Sequence, residues 1–391
     1  MNRTMWLQNM LKIFSSLKLT VGCLAFAALL VFVGTLDQIN LGIYEAQRKY
    51  FQSFLVFMED SDGRKLFPVL PGGYLIGGLL LINLFVVLFT HYKWTGRKSG
   101  ILMMHVGLII LLLGMLITDL LSRESYMSID EGGYQDYSES QRDHELVLVN
   151  KTDPEFDLVF SVPESLLKAG EFYTNDEVPF KILVHRYAKN SRVQQREDAQ
   201  ISRLERKGLS RFVDFEKWPA AKKVDEKNMP SVSFELIEGT VTKGTWLASA
   251  YIKEPQKIAI NGGEWEILMR PTRFYHGYKI HLKDFSHDLY AGSDIPKNFS
   301  SKVYLEDEIN GVEMDTLIYM NHPLRYQGET FYQASFANED KTSILLVVKN
   351  PGAAMPYVAC TMMALGMFIQ FGLSLWKHLL AKRVAVGVLS S

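Results

Sequence analysis

The chain has 391 residues, 42 Lys plus Arg against 43 Asp plus Glu, 48% hydrophobic residues and only two cysteines. Four stretches, Leu19–Leu36, Tyr74–Thr90, Ile101–Thr118 and Met355–Trp376, hold no Asp, Glu, Lys or Arg, so every formal charge lies elsewhere. That segregation excludes an ordinary soluble protein, and 22% charge overall excludes one lying wholly within a bilayer.

Each uncharged stretch is long enough to cross most or all of a hydrocarbon core of roughly 30 Å. Lys12 and Lys18 precede the first stretch as they would in a signal peptide. Its apolar run exceeds a usual signal core and no A-x-A-like site follows, so it reads as a membrane span. In chain order the sequence predicts a cytoplasmic tail (1–18), a first transmembrane helix (19–36) and an outer loop (37–73). A second helix (74–90), a basic cytoplasmic loop (91–100) and a third helix (101–121) follow. A large extracytoplasmic domain (122–354), a fourth helix (355–376) and a second cytoplasmic tail (377–391) complete the chain.

Orientation follows from the short flanks. Arg3, Lys12, Lys18, Lys93, Arg97, Lys98, Lys377, Lys382 and Arg383 lie in the two tails and the 91–100 loop, which contain no acid. The long segment carries 29 basic against 37 acidic residues, which places it outside and argues against a nucleic-acid partner. The cytoplasmic segments are too short for a kinase or nucleotide-binding domain. Cys23 and Cys360 both fall in predicted spans, so the outer domain has no cysteine for a disulfide or a C-x-x-C redox site.

In the outer loop, Leu41, Tyr44, Phe51, Phe54, Leu55 and Met58 recur at helical spacing and predict an amphipathic helix on the membrane surface. The large domain predicts β-rich structure, a sandwich or barrel-like arrangement in one or two lobes. Its signals are short runs of β-branched and aromatic residues with turns at Asn261-Gly262-Gly263 and Asn310-Gly311. Ala188–Lys227, charged and rich in Glu and Lys, predicts a helix or an excursion between two β halves. Asn350-Pro-Gly ends the last strand, and Pro356 suits the start of the fourth helix.

His105 is the most informative side chain, because polar groups inside membranes are expensive and face a partner or a cavity. It could ligate haem iron or another metal, relay protons, or hydrogen-bond a neighbouring helix. Gly107 and Gly114 fall roughly 160–180° away on the helical wheel, leaving one face free to pack closely on another helix. His91 reads as an interfacial histidine. His276, His281 and His287 lack metal-site spacing and read as structural or exposed, and the adjacent Asp130 and Glu131 read as solvated charges. No nucleophile elbow, P-loop, dinucleotide fingerprint or metalloprotease helix occurs, which points away from an autonomous hydrolase or oxidoreductase.

Ser16-Leu-Lys-Leu-Thr enters the first helix, Gly34-Thr-Leu-Asp-Gln leaves it, and His105-Val-Gly-Leu and Gly114 lie in the third. The outer domain adds Lys283-Asp-Phe, Tyr290, Pro296-Lys-Asn-Phe-Ser-Ser and Asn321-His-Pro-Leu-Arg-Tyr-Gln-Gly-Glu-Thr-Phe-Tyr-Gln-Ala-Ser, then Asn350-Pro-Gly. This order resembles the ResB family, also called CcsB, the membrane subunit of System II cytochrome c biogenesis. The resemblance implies a bacterial cytoplasmic membrane, a ResC/CcsA-like membrane partner, and transported or transiently bound haem b. It also implies apocytochrome c as client, and a non-autonomous part in a cytochrome c haem-attachment complex. His105 matches the position of a haem-iron axial ligand, and the partner would supply the other ligand. The rival reading is an extracytoplasmic protein-binding assembly scaffold without a bound cofactor. The turn residues Pro323 and Gly328 read as structural, and Phe331, Tyr332 and Phe336 as core or as an aromatic contact surface.

Overall fold

The computed structural model describes residues 3–60, 64–90, 98–153, 156–196, 206–221, 226–289, 292, 296–338 and 341–389. The chain divides into two units, Met1–Ser122 with Asn350–Ser391 and Arg123–Ala221 with Asp225–Lys349.

The first unit is helical. It comprises α1 (Arg3–Phe14), α2 (Leu17–Ala46), the hairpin β1 (Leu55–Glu59) and β2 (Lys65–Pro71), α3 (Gly73–Thr90), α4 (Ser99–Leu121) and α5 (Met355–Leu389). The helices α2, α3, α4 and α5 are each long and apolar enough to cross a membrane. Three precede the β-rich unit and one follows it. Their apolar composition comes first, because a backbone in hydrocarbon must satisfy its own hydrogen bonds and the α-helix does so within one segment.

Three glycines seven residues apart set how α4 meets α5. Gly100, Gly107 and Gly114 stay on one face of α4, since seven residues are nearly two turns. A Cβ added to Gly100 would lie 2.4 Å from the Gly366 carbonyl oxygen. One on Gly107 would lie 2.9 Å from that of Ala359, and one on Gly114 would lie 2.7 Å from Met355 Cβ. The two helices therefore run antiparallel with their backbones in near contact. Asn350 fastens one end of this pair: its Oδ1 accepts from the Thr118 hydroxyl at 3.1 Å and from the Gly352 N–H at 2.8 Å.

The outer loop departs from the predicted amphipathic helix over 41–58. Gly42 takes φ 76°, a conformation open to glycine, and turns the helix back so that Tyr50 is buried and packs beside Gly34. A π-helical turn, Gln47–Phe51, ends the helical part, Phe54 lies in a bend, and Leu55 and Met58 fall on β1 of the hairpin. Helical spacing there reflected two different elements read as one.

The second unit is β-rich. Its strands are β3 (Arg123–Asp130), β4 (Tyr134–Asn150), β5 (Leu158–Pro163), β6 (Phe172–Tyr173), β7 (Lys181–Ala188), β8 (Ser191–Gln195), β9 (Val213–Lys217), β10 (Ser231–Glu238) and β11 (Val241–Ser249). They continue with β12 (Gln256–Ile260), β13 (Gly263–Leu289), β14 (Pro296–Asp307), β15 (Val312–Tyr319), β16 (Leu324–Tyr326), β17 (Glu329–Ala337) and β18 (Thr342–Lys349). The main path runs β15-β14-β13-β4-β3-β18-β17-β16, and it curls until β15 lies against β16 and β17, nearly closing a barrel. Its core holds Met127, Ile280, Val303, Leu305, Phe331 and Leu345.

The 27-residue β13 and the 17-residue β4 extend beyond the barrel. There, with β5 and β12 at their sides, they face a second sheet of order β11-β10-β7-β6. Trp265, Phe234, Phe180 and Ile182 fill the sandwich between them. On β10 the alternation is plain from Val232 onward, with Val232, Phe234 and Leu236 fully buried and Ser233, Glu235 and Ile237 more open. Of the two readings of Ala188–Lys227 the helix is corrected: its described residues include the hairpin of β8 and β9 and a short 3-10 turn at Gly208–Arg211, and no α-helix. Arg186 stacks on Phe215 at 4.7 Å, which shows how charged side chains cover an apolar surface here.

Gly107→Leu is expected to lower the unfolding midpoint of the purified protein in detergent, at a cost of about 1–3 kcal/mol from overpacking the seam. Gly372→Leu, at a position with open space around it, is the control and should unfold as the wild type does. Equal midpoints for both variants would show that the close approach of α4 and α5 does not limit stability.

Candidate functional site

His105 lies in the second turn of α4 and is partly buried. Its Nδ1 is 2.9 Å from the carbonyl oxygen of Ile101, one turn earlier. A carbonyl only accepts, so in the neutral ring Nδ1 carries the proton and Nε2 keeps its lone pair. Among the described residues Nε2 has no hydrogen-bond partner. The imidazole is thus held by its own helix in the tautomer a metal ligand needs.

The wheel position decides where that lone pair can be used. Gly107 and Gly114 face α5, and His105 is on the other side of α4. Along His105's side run Leu108, Met115 and Leu116, all exposed, and then Asp119, about 21 Å further along the axis. Asp119 accepts from Gln52 Nε2 at 2.5 Å and from the Tyr74 hydroxyl. This face therefore offers one nitrogen donor, an apolar strip and a carboxylate already engaged by two neutral donors.

The other sequence-selected residues go to different places. His91 lies outside the described residues, as does Tyr290. His281 is on the outer side of the barrel, where Nε2 meets Glu306 at 2.9 Å between the rings of Tyr134 and Tyr304. His287 stacks on Phe299 and Phe336. Phe331 is fully buried, Tyr332 is exposed, and Phe336 packs on Phe285. Asp130 accepts from the Thr342 hydroxyl across the β3–β18 pair. Among the described residues no three His, Cys, Asp or Glu side chains gather as metal ligands.

Residue-by-residue reading of the sequence missed Glu329. It begins β17, is 4% exposed, and is the centre of a buried network. Oε2 accepts from His276 Nδ1 at 2.8 Å and from the Tyr278 hydroxyl at 2.5 Å, while Oε1 receives Arg123 Nη2 at 3.1 Å with Lys349 Nζ at 3.8 Å. The His276 ring continues the chain through Nε2 to Ser138 Oγ at 3.1 Å, and Ser138 meets Ser125 at 2.8 Å. Arg123 also lies 4.0 Å over the Phe274 ring. Burial opposes ionisation of Glu329, but the hydrogen bonds from His276 and Tyr278 and the charges of His276 and Lys349 outweigh it and bring the carboxyl down to about 2. Burial, then the bond to Glu329, pushes the Tyr278 hydroxyl far up in turn.

Arg123 and Lys349 are the first and last residues of the β unit and pair directly across β3 and β18. Glu329 thus fastens the strand that leaves the helical unit to the strand that returns to it. Nearby, buried Asp307 accepts from Asn310, from the Tyr326 hydroxyl at 2.8 Å and from Gln327 Nε2 at 2.9 Å. These bonds, led by the Asn310 side chain, lower its carboxyl pKa. The Gln327-Gly328 turn, with φ 46° and 76°, makes the tight reversal that sets Tyr326 and Glu329 side by side.

Residues 248–348 match the model of the ResB-like family. The chain is also similar to Protein NrfI of Wolinella succinogenes, 24% identical over 294 residues. That match covers 74% of this chain and 29% of NrfI, so the chain spans under a third of the curated relative's length. The ResB-like segment contains His276, Tyr278, Tyr326 and Glu329.

Because the carboxyl of Glu329 is depressed in the folded state, its stabilisation is full above the unfolded pKa near 4.5 and is lost as pH falls toward about 2. The gap is worth on the order of 3 kcal/mol. Glu329→Gln should therefore lower stability at pH 7 and show a flatter loss between pH 5 and 3 in urea unfolding. Parallel pH curves for the two proteins would remove Glu329 from that role.

Proposed function

We propose that this chain, with its ResB-like segment, is a membrane subunit of cytochrome c biogenesis that binds haem through His105. The observation that carries the reading is the fixed tautomer of His105, with Nε2 presented on the side of α4 away from α5. The family match and the similarity to NrfI support the pathway. Haem is the cargo, and its iron would take the imidazole as one axial ligand.

The residues present suit that cargo in two respects. The hydrogen bond from Nδ1 to Ile101 removes rotation of the ring, and Leu108, Met115 and Leu116 give a flat apolar ligand a surface next to it. His105 holds and orients; it does not itself form a bond to the vinyl groups or to a client thiol. One imidazole leaves the opposite axial position open, and a ResC/CcsA-like membrane protein supplies that second ligand. System II then describes the whole assembly, set in a bacterial cytoplasmic membrane with both termini inside and the β unit outside. The β unit receives apocytochrome c beside the delivered haem.

His105→Gly is expected to abolish the haem absorbance of the complex copurified with its ResC/CcsA-like partner, at matched protein yield, and added imidazole should restore it. Unchanged haem content in His105→Gly and His105→Ala would end the assignment and favour a protein-binding scaffold that carries no cofactor.

A further inference from the structure

At the junction of α1 and α2 the chain makes a corner at Ser15 and Ser16, and the corner is built rather than loose. Asn83, on α3 and only 2% exposed, donates through Nδ2 to the Phe14 carbonyl at 2.6 Å and to the Ser16 carbonyl at 3.3 Å. Its Oδ1 accepts from the Thr20 hydroxyl at 2.8 Å. One buried amide thus holds the end of α1 and the start of α2, satisfying polar groups that would be costly unpaired beside a bilayer.

Outside this corner is an open notch of about 450 Å³ lined by Lys12, Ile13, Ser16, Lys18 and Leu19. Among the described residues neither Lys12 nor Lys18 has an ion-pair or hydrogen-bond partner for its ammonium group. Two exposed cations, with no counter-charge among the described residues, therefore flank one open notch. Its remaining walls, Ile13 and Leu19, are apolar, and Ile13 is 58% exposed. On α1, Trp6 is 66% exposed, which suits a helix lying at a lipid–water boundary.

We infer that the Lys12–Ser16–Lys18 notch binds the phosphate headgroup of an anionic phospholipid, with an acyl chain along Ile13 and Leu19. The two ammonium groups neutralise the phosphodiester. The first turn of the 30-residue α2 adds its positive end, and Ser16 caps one of that turn's N–H groups by accepting from Lys18 N at 3.2 Å. The apolar walls distinguish a lipid from free phosphate, which has no use for them. This inference needs only that α2 crosses a bilayer and is independent of haem binding at His105.

The test uses the full-length chain in nanodiscs of phosphatidylcholine with or without phosphatidylglycerol, with retained lipid counted by native mass spectrometry. The wild type should keep one phosphatidylglycerol in preference to phosphatidylcholine, and Lys12→Ala/Lys18→Ala should reduce that retention more than tenfold. Lys12→Gln and Lys18→Gln singly should each reduce it about fivefold and carry the test if the double variant does not fold. Lys377→Ala, on α5, should retain the lipid as the wild type does. Retention unchanged in the lysine variants, or lost equally in Lys377→Ala, would overturn the site. Displacement of the lipid by millimolar inorganic phosphate would overturn the lipid assignment in favour of a free anion.

Discussion

The contact on which the structure depends is the one between the backbones of α4 and α5. Helices in lipid gain little from burying apolar surface against each other, so close approach of backbones and dispersion across the seam must hold them. Gly100, Gly107 and Gly114 on one side and Gly366 on the other let the two backbones approach, with Met355, Met363 and Met103 packed directly over the glycines. The chain that leaves the helical unit and the chain that re-enters it are thereby held as neighbours where the first strand of the β unit begins and the last one ends. An antiparallel pair of strands can then grow from them, and β3 and β18 pair without a register shift from Arg123↔Lys349 to Asp130↔Thr342.

Glu329 meets those strands at their shared end. A carboxylate there is expensive to desolvate, and its attraction to Arg123 and Lys349 alone would scarcely repay the cost. The donors of His276 and Tyr278 complete it, with four partners drawn from β3, β13 and β18 around a residue of β17. An apolar residue could fill the same volume, but it would not distinguish the correct register of these strands from a shifted one. Slippage by one residue would leave Glu329 buried without its cations. The network thus specifies pairing at the point where the β unit joins the helices in sequence.

The four helices and the β-rich unit between them were legible in the sequence because each rests on a local pattern: an uncharged run, or alternation over a few residues. The Asn261-Gly262 turn was legible for the same reason, since its two φ values of 50° and 78° are what those residue types permit. His105 could be singled out because a polar residue in an apolar run is conspicuous. Glu329 was quoted in a motif but its role was not legible, because its partners stand 51, 53 and 206 positions away for Tyr278, His276 and Arg123. The 27-residue length of β13 was not legible either, because short alternating runs do not show that one strand serves two sheets. Helical spacing in 41–58 misled because Gly42 reverses the chain within it.

In the proposed reading, the arrangement of α4 also gives a reason for a second protein beside this one. One face is committed to α5 from Gly100 to Gly114, and at Gly100 and Gly107 a larger residue would press on the α5 backbone. The opposite face carries the imidazole whose lone pair has no partner among the described residues. A ligand bound there is supported on one side only, by one nitrogen and an apolar strip. Iron in a macrocycle has two axial positions, so in the proposed reading a second protein must cover the exposed side. If haem were held there as proposed, the same one-sidedness would leave its other face dependent on the second protein, while His105, fixed to Ile101, would keep its orientation whether or not that protein were present.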